Sequence, residues 1–211
     1  KYSFIKLTIM ILTYFLIAVN AVISYRAYTA FRDNGKVDDY LFSPSLFARG
    51  RNRLGALLSH FSHADFWHFG FNMITLYYFG RIVEGLGGKI SFILIYLASG
   101  LGATLLTYYT KKDNVYYRSL GASGCISGIL FAAIVYYPFM KISLLFIPIG
   151  VPAPAFAVIY VLFSVFFMDS GDGISHEGHL GGAFAGLLLG GALAPQGYAL
   201  LGQELHRILG F

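Results

Sequence analysis

The stretch Gly121-Ala122-Ser123-Gly124-Cys125-Ile126-Ser127-Gly128, read together with His179-Leu180-Gly181-Gly182-Ala183-Phe184-Ala185-Gly186, decides how this chain folds. Each opens an apolar, glycine-rich run in the length range of a membrane helix, which needs about 20 apolar residues. Gly124 and Gly128 stack on one helix face, as do His179, Gly182 and Gly186. Such small-residue faces let two backbones approach closely. The two helices are therefore expected to cross, with a serine and a histidine brought together at their mouths. Reactive or ionisable groups at membrane depth are costly and are functional suspects by default.

Composition agrees with a membrane location. The chain has 211 residues, of which 57% are hydrophobic, 18% aromatic and only 12% charged, where a soluble domain is about a quarter charged. It reads as one all-α polytopic membrane domain over residues 1–211. The single cysteine, Cys125, excludes an internal disulfide framework. The net charge of +5 is scattered, so no nucleic-acid face is suggested and the basic residues are expected at lipid headgroups. The first apolar run has no small-residue cleavage site and reads as a retained helix rather than a signal peptide.

Working outward, hydropathy predicts six spans: 5–25, 66–82, 90–108, 121–137, 152–168 and 179–193. Pro138 and Pro195 end the fourth and sixth. Between the first two lies a long mixed segment, Arg26–Ser62, whose Asp33, Lys36, Asp38, Asp39, Arg49, Arg51 and Arg53 alternate with Phe and Leu. That pattern suits an amphipathic loop lying in the interface. Ile142–Val151 reads as an extended connector. At ~1.5 Å per residue the fourth span is ~26 Å long, shorter than a hydrocarbon core of ~30 Å. Ser123 is thus expected below the membrane surface, where irregular backbone must be buried in protein or line a wet cavity. Charge does not choose an orientation: with both termini inside, six Lys/Arg lie inside and nine outside, six of those nine in the first loop.

Ser123 is expected in the first turn of its helix, where the positive dipole end favours developing negative charge and its own backbone N–H is unused. A serine needs an adjacent base, and His179 is the candidate. His68 and Asn72, at i and i+4, share a face of the second span and can donate to an oxyanion. No acid is well placed for a triad, since Glu177 would point away from the His179 face. His63 reads as structural, His60 and His206 as interfacial, and Glu84 as an anchor for its turn with Arg81 or Lys89. His176-Glu177-Gly178-His179 is one residue too short for an HExxH zinc helix, so no metal and no cofactor are expected.

Three motifs carry a family resemblance over nearly the whole chain. His63-Ala64-Asp65-Phe66-Trp67-His68-Phe69-Gly70-Phe71-Asn72 resembles the HxxxxHxxxN helix of rhomboid intramembrane serine proteases. Gly121-Ala122-Ser123-Gly124 resembles their GxSG motif, and His179 through Gly186 their HxxGxxxG helix. The resemblance implies a six-helix bundle in which Ser123 is nucleophile and His179 base. It implies an oxyanion hole of His68, Asn72 and the Ser123 N–H. It further implies transmembrane protein substrates entering sideways near the second and fifth helices, and a prokaryotic cell membrane with both termini cytoplasmic. There are two departures. Many members carry an aromatic residue four positions after the nucleophile, stacked on the catalytic histidine; here that position is Ser127. The family's Trp-Arg pair in the first loop is replaced by Leu54-Gly55. Two other functions compete with this one. A non-catalytic rhomboid-like binding or quality-control protein has no need of Ser123, His179, His68 and Asn72 together. A small transporter would favour inverted repeats or paired broken helices, which the sequence lacks.

Overall fold

The computed structural model describes residues 10–33, 35–143, 149–168 and 170–210. Its elements are α1 (Ile11–Arg32), α2 (Pro44–Ala48), α3 (Arg53–Leu58), α4 (Phe66–Lys111), α5 (Ser123–Tyr136), β1 (Lys141–Ile142), β2 (Val151–Pro152), α6 (Ala153–Phe166), α7 (His176–Leu193) and α8 (Pro195–Leu209). By length and composition α1 and α4 can cross a membrane. The helices α5 and α6 are apolar but shorter, and α7 and α8 meet at a bend of 112°.

The 46 residues of α4 are two limbs, because Gly88 has φ 81° and ψ 170°, outside the helical region. Only glycine adopts such a conformation readily. Contacts along α5 give the direction of each limb. At the start of α5, Gly121 lies against His68 of the first limb and Gly124 against Ala103 of the second. At its end, Tyr136 lies against Gly87, beside the break. The limbs therefore fold back antiparallel, where the sequence predicts two spans separated near Ile82–Ile90.

The helix α5 is the axis of the bundle, and every residue from Gly124 to Tyr136 is buried. It is wedged between α4 and α7 by glycine. A Cβ on Gly182 would stand 1.9 Å from the Gly124 carbonyl oxygen, and one on Gly186 would stand 2.1 Å from that of Gly128. The other flank of α7 meets the second limb equally closely, through Gly181 and Gly102. Main chain packs on main chain along both flanks, as small-residue faces permit.

Several boundaries differ from the sequence reading. The predicted first span begins at Ile5, outside the described residues, and α1 continues past Tyr25 to Arg32 because no glycine or proline interrupts it. The helix α7 begins at His176, one turn earlier than predicted, so His179 sits inside the first turn rather than at the mouth. Acidic Glu177 in that turn suits the positive dipole end. Pro195 ends α7 as predicted but also begins α8, which the sequence reading missed. Proline is well tolerated at a first helical position. The predicted connector pairs at its ends, Lys141 with Pro152 and Ile142 with Val151, antiparallel; residues 144–148 lie outside the described residues.

Glu84 corrects a further expectation. It is buried, and its carboxylate accepts from Leu12 N (3.0 Å), Thr13 N (2.9 Å) and Thr13 Oγ1 (2.7 Å). It thus caps the start of α1, where backbone N–H groups have no helical partner and the dipole favours an anion. Arg81 instead donates to Tyr77 Oη at 2.9 Å and stacks over that ring. Glu84→Ala is expected to leave two buried donors of Thr13 and the half-buried Leu12 N–H without this acceptor and cost on the order of 3 kcal/mol. Detergent melting of wild type and variant checks this, and an unchanged melting temperature would mean the cap does not hold α1.

Candidate active site

One end of the bundle gathers the first loop, the starts of α4 and α5, and the start of α7. The loop is a folded platform. Asn52, in a left-handed conformation at φ 59°, organises it. Its Oδ1 accepts from Ser43 N at 2.8 Å, and its Nδ2 donates to Asp38 O (2.7 Å) and Leu41 O (3.1 Å). Gly55 leaves room for that amide, since a Cβ there would stand 2.3 Å from Asn52 Nδ2. Asn52 and Gly55 thus tie the loop at the point where the Trp-Arg pair is missing.

The platform grips the segment that leads into α5. Phe42 and Ser119 exchange both backbone hydrogen bonds, at 2.8 and 3.0 Å, and Gly121 N donates to Ser59 O at 2.8 Å. His63 adds a side-chain tie. Ala122 N–H donates to its Nε2 at 3.5 Å, so the ring proton lies on Nδ1 and faces Ser24 Oγ at 2.8 Å; Ser24 in turn donates to Phe61 O. Burial holds the His63 imidazole down to about 3, which keeps this neutral tautomer. His63 therefore joins α1 to the start of α5 and packs its ring against His68.

Ser123 is the first residue of α5. Beside it Gly121 has φ +131°, and a side chain there would meet His68 Cε1 at 2.7 Å and Nε2 at 2.8 Å. The same point is 3.5 Å from Ser123 Oγ. The absent side chain is what lets the His68 imidazole stand next to the serine. Asn72 is buried on the same face a turn further along, and its Nδ2 donates to His68 O at 3.1 Å. One amide N–H thus serves its own helix and the second is left to other acceptors.

Ser123 and His179 line a common cavity of about 30 Å³, together with His60, Thr104 and Thr107. A space of this size and polarity can hold a water. Among the described residues no direct hydrogen bond joins Ser123 Oγ to His179, and such pairs are often looser before substrate binds. His60 also lines this cavity, with Nε2 2.7 Å from Thr104 Oγ1, and burial pushes its imidazole down to about 4.

The acidic groups near His179 are committed elsewhere. Glu177 is buried and accepts from Tyr117 Oη in a short bond and from Ser175 Oγ at 2.9 Å. Burial first, then the Glu177 carboxylate, pushes the Tyr117 phenol well up, so Tyr117 is the donor. Asp172 lies 3.0 Å from His176 Nε2, and that contact holds its carboxyl down to about 2. His176, Glu177 and His179 therefore face different partners instead of converging.

Sequence reasoning also missed Tyr160 on α6. Its ring lies beside that of His179, with centroids 6.2 Å apart and planes 33° apart. Its hydroxyl is 2.5 Å from Ser127 Oγ, which donates to Ser123 O at 2.7 Å. No spacing rule links positions on two different helices, so only an aromatic residue in the fifth span hinted at it.

Residues 51–196 match the Rhomboid domain. The chain is 33% identical over 147 residues to "Rhomboid protein 1, mitochondrial" of Saccharomyces cerevisiae, covering 66% of this chain and 41% of that protein. It is 32% identical over 138 residues to "Presenilin-associated rhomboid-like protein, mitochondrial" of Bos taurus, covering 62% and 36%. It is 28% identical over 143 residues to "Rhomboid protease GluP" of Bacillus subtilis, covering 68% and 26%. The match thus spans about two fifths or less of each of these relatives. With the domain match covering more than half its length, the chain belongs to the rhomboid family.

Proposed function

We propose that this protein is an intramembrane serine endopeptidase that cleaves transmembrane protein substrates. The observation that carries the reading is the shared polar cavity of Ser123 and His179, set at the backbone contact of Gly124 with Gly182. In this reading His179 takes the Ser123 proton as Oγ attacks the scissile carbonyl, and later returns it to the leaving amine. The Ser123 N–H at the start of α5, the His68 imidazole and the Asn72 amide are the oxyanion donors. Neither a metal nor a cofactor takes part. The two limbs of α4 count as separate spans, giving six over a single membrane domain of residues 1–211. The membrane is of the prokaryotic cell type with both termini cytoplasmic; the mitochondrial names of two relatives make a mitochondrial membrane the competing location.

The deciding experiment incubates purified protein in detergent or liposomes with a model transmembrane substrate, wild type beside Ser123→Ala. Cleavage by the wild type alone supports the reading. Cleavage by neither favours the non-catalytic rhomboid-like alternative, and equal cleavage by both moves the nucleophile away from Ser123.

His68→Ala separates oxyanion stabilisation from packing. The oxyanion exists only in the transition state, so a donor aimed at it contributes little to substrate binding. Loss of His68 is expected to lower kcat by about a hundredfold, some 3 kcal/mol, with KM little changed. Asn72→Ala should behave likewise but more mildly, because one of its N–H groups already serves the His68 carbonyl. Normal turnover with a large fall in melting temperature would reduce both to packing residues.

A further inference from the structure

From the ring contact and the hydroxyl chain around His179, we infer that Tyr160 on α6 is the positioning residue for the catalytic histidine, replacing an aromatic side chain absent at Ser127. The inference rests on the proposed Ser123–His179 chemistry.

Two independent contacts place the tyrosine. Its ring is 6.2 Å from that of His179, within the 4.5–7 Å range in which aromatic rings attract. Its hydroxyl is held at the other end. Ser127 Oγ gives its proton to Ser123 O, so Tyr160 Oη donates to Ser127 Oγ at 2.5 Å. The serine that removes an aromatic from α5 thus anchors one that comes from α6. Phe131 packs edge-on against Tyr160 at 5.5 Å and Phe156 lies at 6.2 Å, which limits the ring's freedom. One turn earlier on α7 stands His176, 6.0 Å away and edge-on, its Nε2 given to Asp172. His179 thus touches a ring fixed from α6 and a ring fixed by Asp172.

A consequence follows for α6. Its outer face is apolar and exposed, through Val158, Ile159, Leu162 and Phe166. A helix that faces lipid on one side and orients the base on the other makes catalysis depend on its own place. Displacing α6 outward removes the ring from His179 and breaks the chain to the Ser123 carbonyl in one movement.

The test compares Tyr160→Phe, which keeps the ring, with Tyr160→Leu, which keeps an apolar side chain of fair bulk without it. The readouts are kcat and KM on a transmembrane substrate and the rate at which a fluorophosphonate probe labels Ser123. Labelling is scored on the monodisperse, folded fraction, and Ser123→Ala is the control. Tyr160→Phe is expected to keep most of both rates. Tyr160→Leu is expected to lose roughly tenfold to a hundredfold in kcat and in labelling, with KM little changed, as misorientation of a reacting group does. Rescue by phenylalanine and a kcat-selective loss are effects that simple loosening of α6 would not give. Labelling by Tyr160→Leu at the wild-type rate overturns the inference and leaves the protease reading standing. Equal losses in Tyr160→Phe and Tyr160→Leu also overturn it, because the ring would then be dispensable. No labelling or cleavage by the wild type removes the protease reading and this inference together.

Discussion

Ser123→Ala is expected to bring cleavage of a transmembrane substrate to background, a loss of roughly 10⁴-fold or more, while the protein keeps its fold. The hydroxyl is carried by the first residue of α5 and sits half-buried in the cavity it shares with His179. Alanine at a first helical position costs little, because Ser123 Oγ caps nothing: the cap residue is Ala122, and no side-chain cap bond is formed. His179→Ala is expected to lose about as much. Without the base the serine stays protonated and is a weak nucleophile. Carrying both changes should be scarcely worse than carrying one, because nucleophile and base act as a unit. The measurement is single-turnover cleavage by both single variants and the double, beside gel filtration and melting. Losses that multiply in the double variant would break the dyad assignment. Substantial cleavage by Ser123→Ala would move the nucleophile elsewhere.

The second large effect concerns a residue with no chemistry. Gly182→Val is expected to abolish activity or prevent folding, through geometry alone. Even the first carbon of a side chain at 182 would stand 1.9 Å from the Gly124 oxygen, and the atoms it meets are backbone. Nothing flexible can yield, so α7 must leave α5 by about 1 Å or more. Gly124 adjoins Ser123, and His179 lies one turn from Gly182, so the movement falls on the proposed dyad. A ~1 Å misplacement can cost about a hundredfold in rate. Gly202→Ala is the matched control. Nothing lies within 4 Å of a Cβ at 202, on α8. That change should be neutral or slightly stabilising, since alanine gains about 0.5–1 kcal/mol over glycine within a helix. Wild-type turnover by Gly182→Val, in a protein of unchanged melting temperature, would show that the site does not need this crossing.

Much of this site was legible in the sequence because its signals are local. The glycines at 124, 128, 182 and 186 recur at helical spacing, and spacing alone predicts a shared face. The crossing they imply is the one observed. Ser123 at the head of an apolar run and His68 with Asn72 one turn apart are likewise statements about single helices. The partners between elements were not legible. Glu84 was assigned to the cations beside it in sequence, yet it caps α1, some seventy positions away. His60 is expected only at the interface, and nothing in its spacing points to the cavity it lines. Tyr160 and Ser127 find each other across two helices. The helix α8 and the folded first loop were missed because their order comes from caps, turns and docking rather than from a long apolar run. Periodicity and small-residue spacing are properties of one backbone, and the sequence determines them directly. Which buried polar group answers which is decided only when the helices pack, because a donor taken out of water accepts whatever partner the tertiary structure brings within reach.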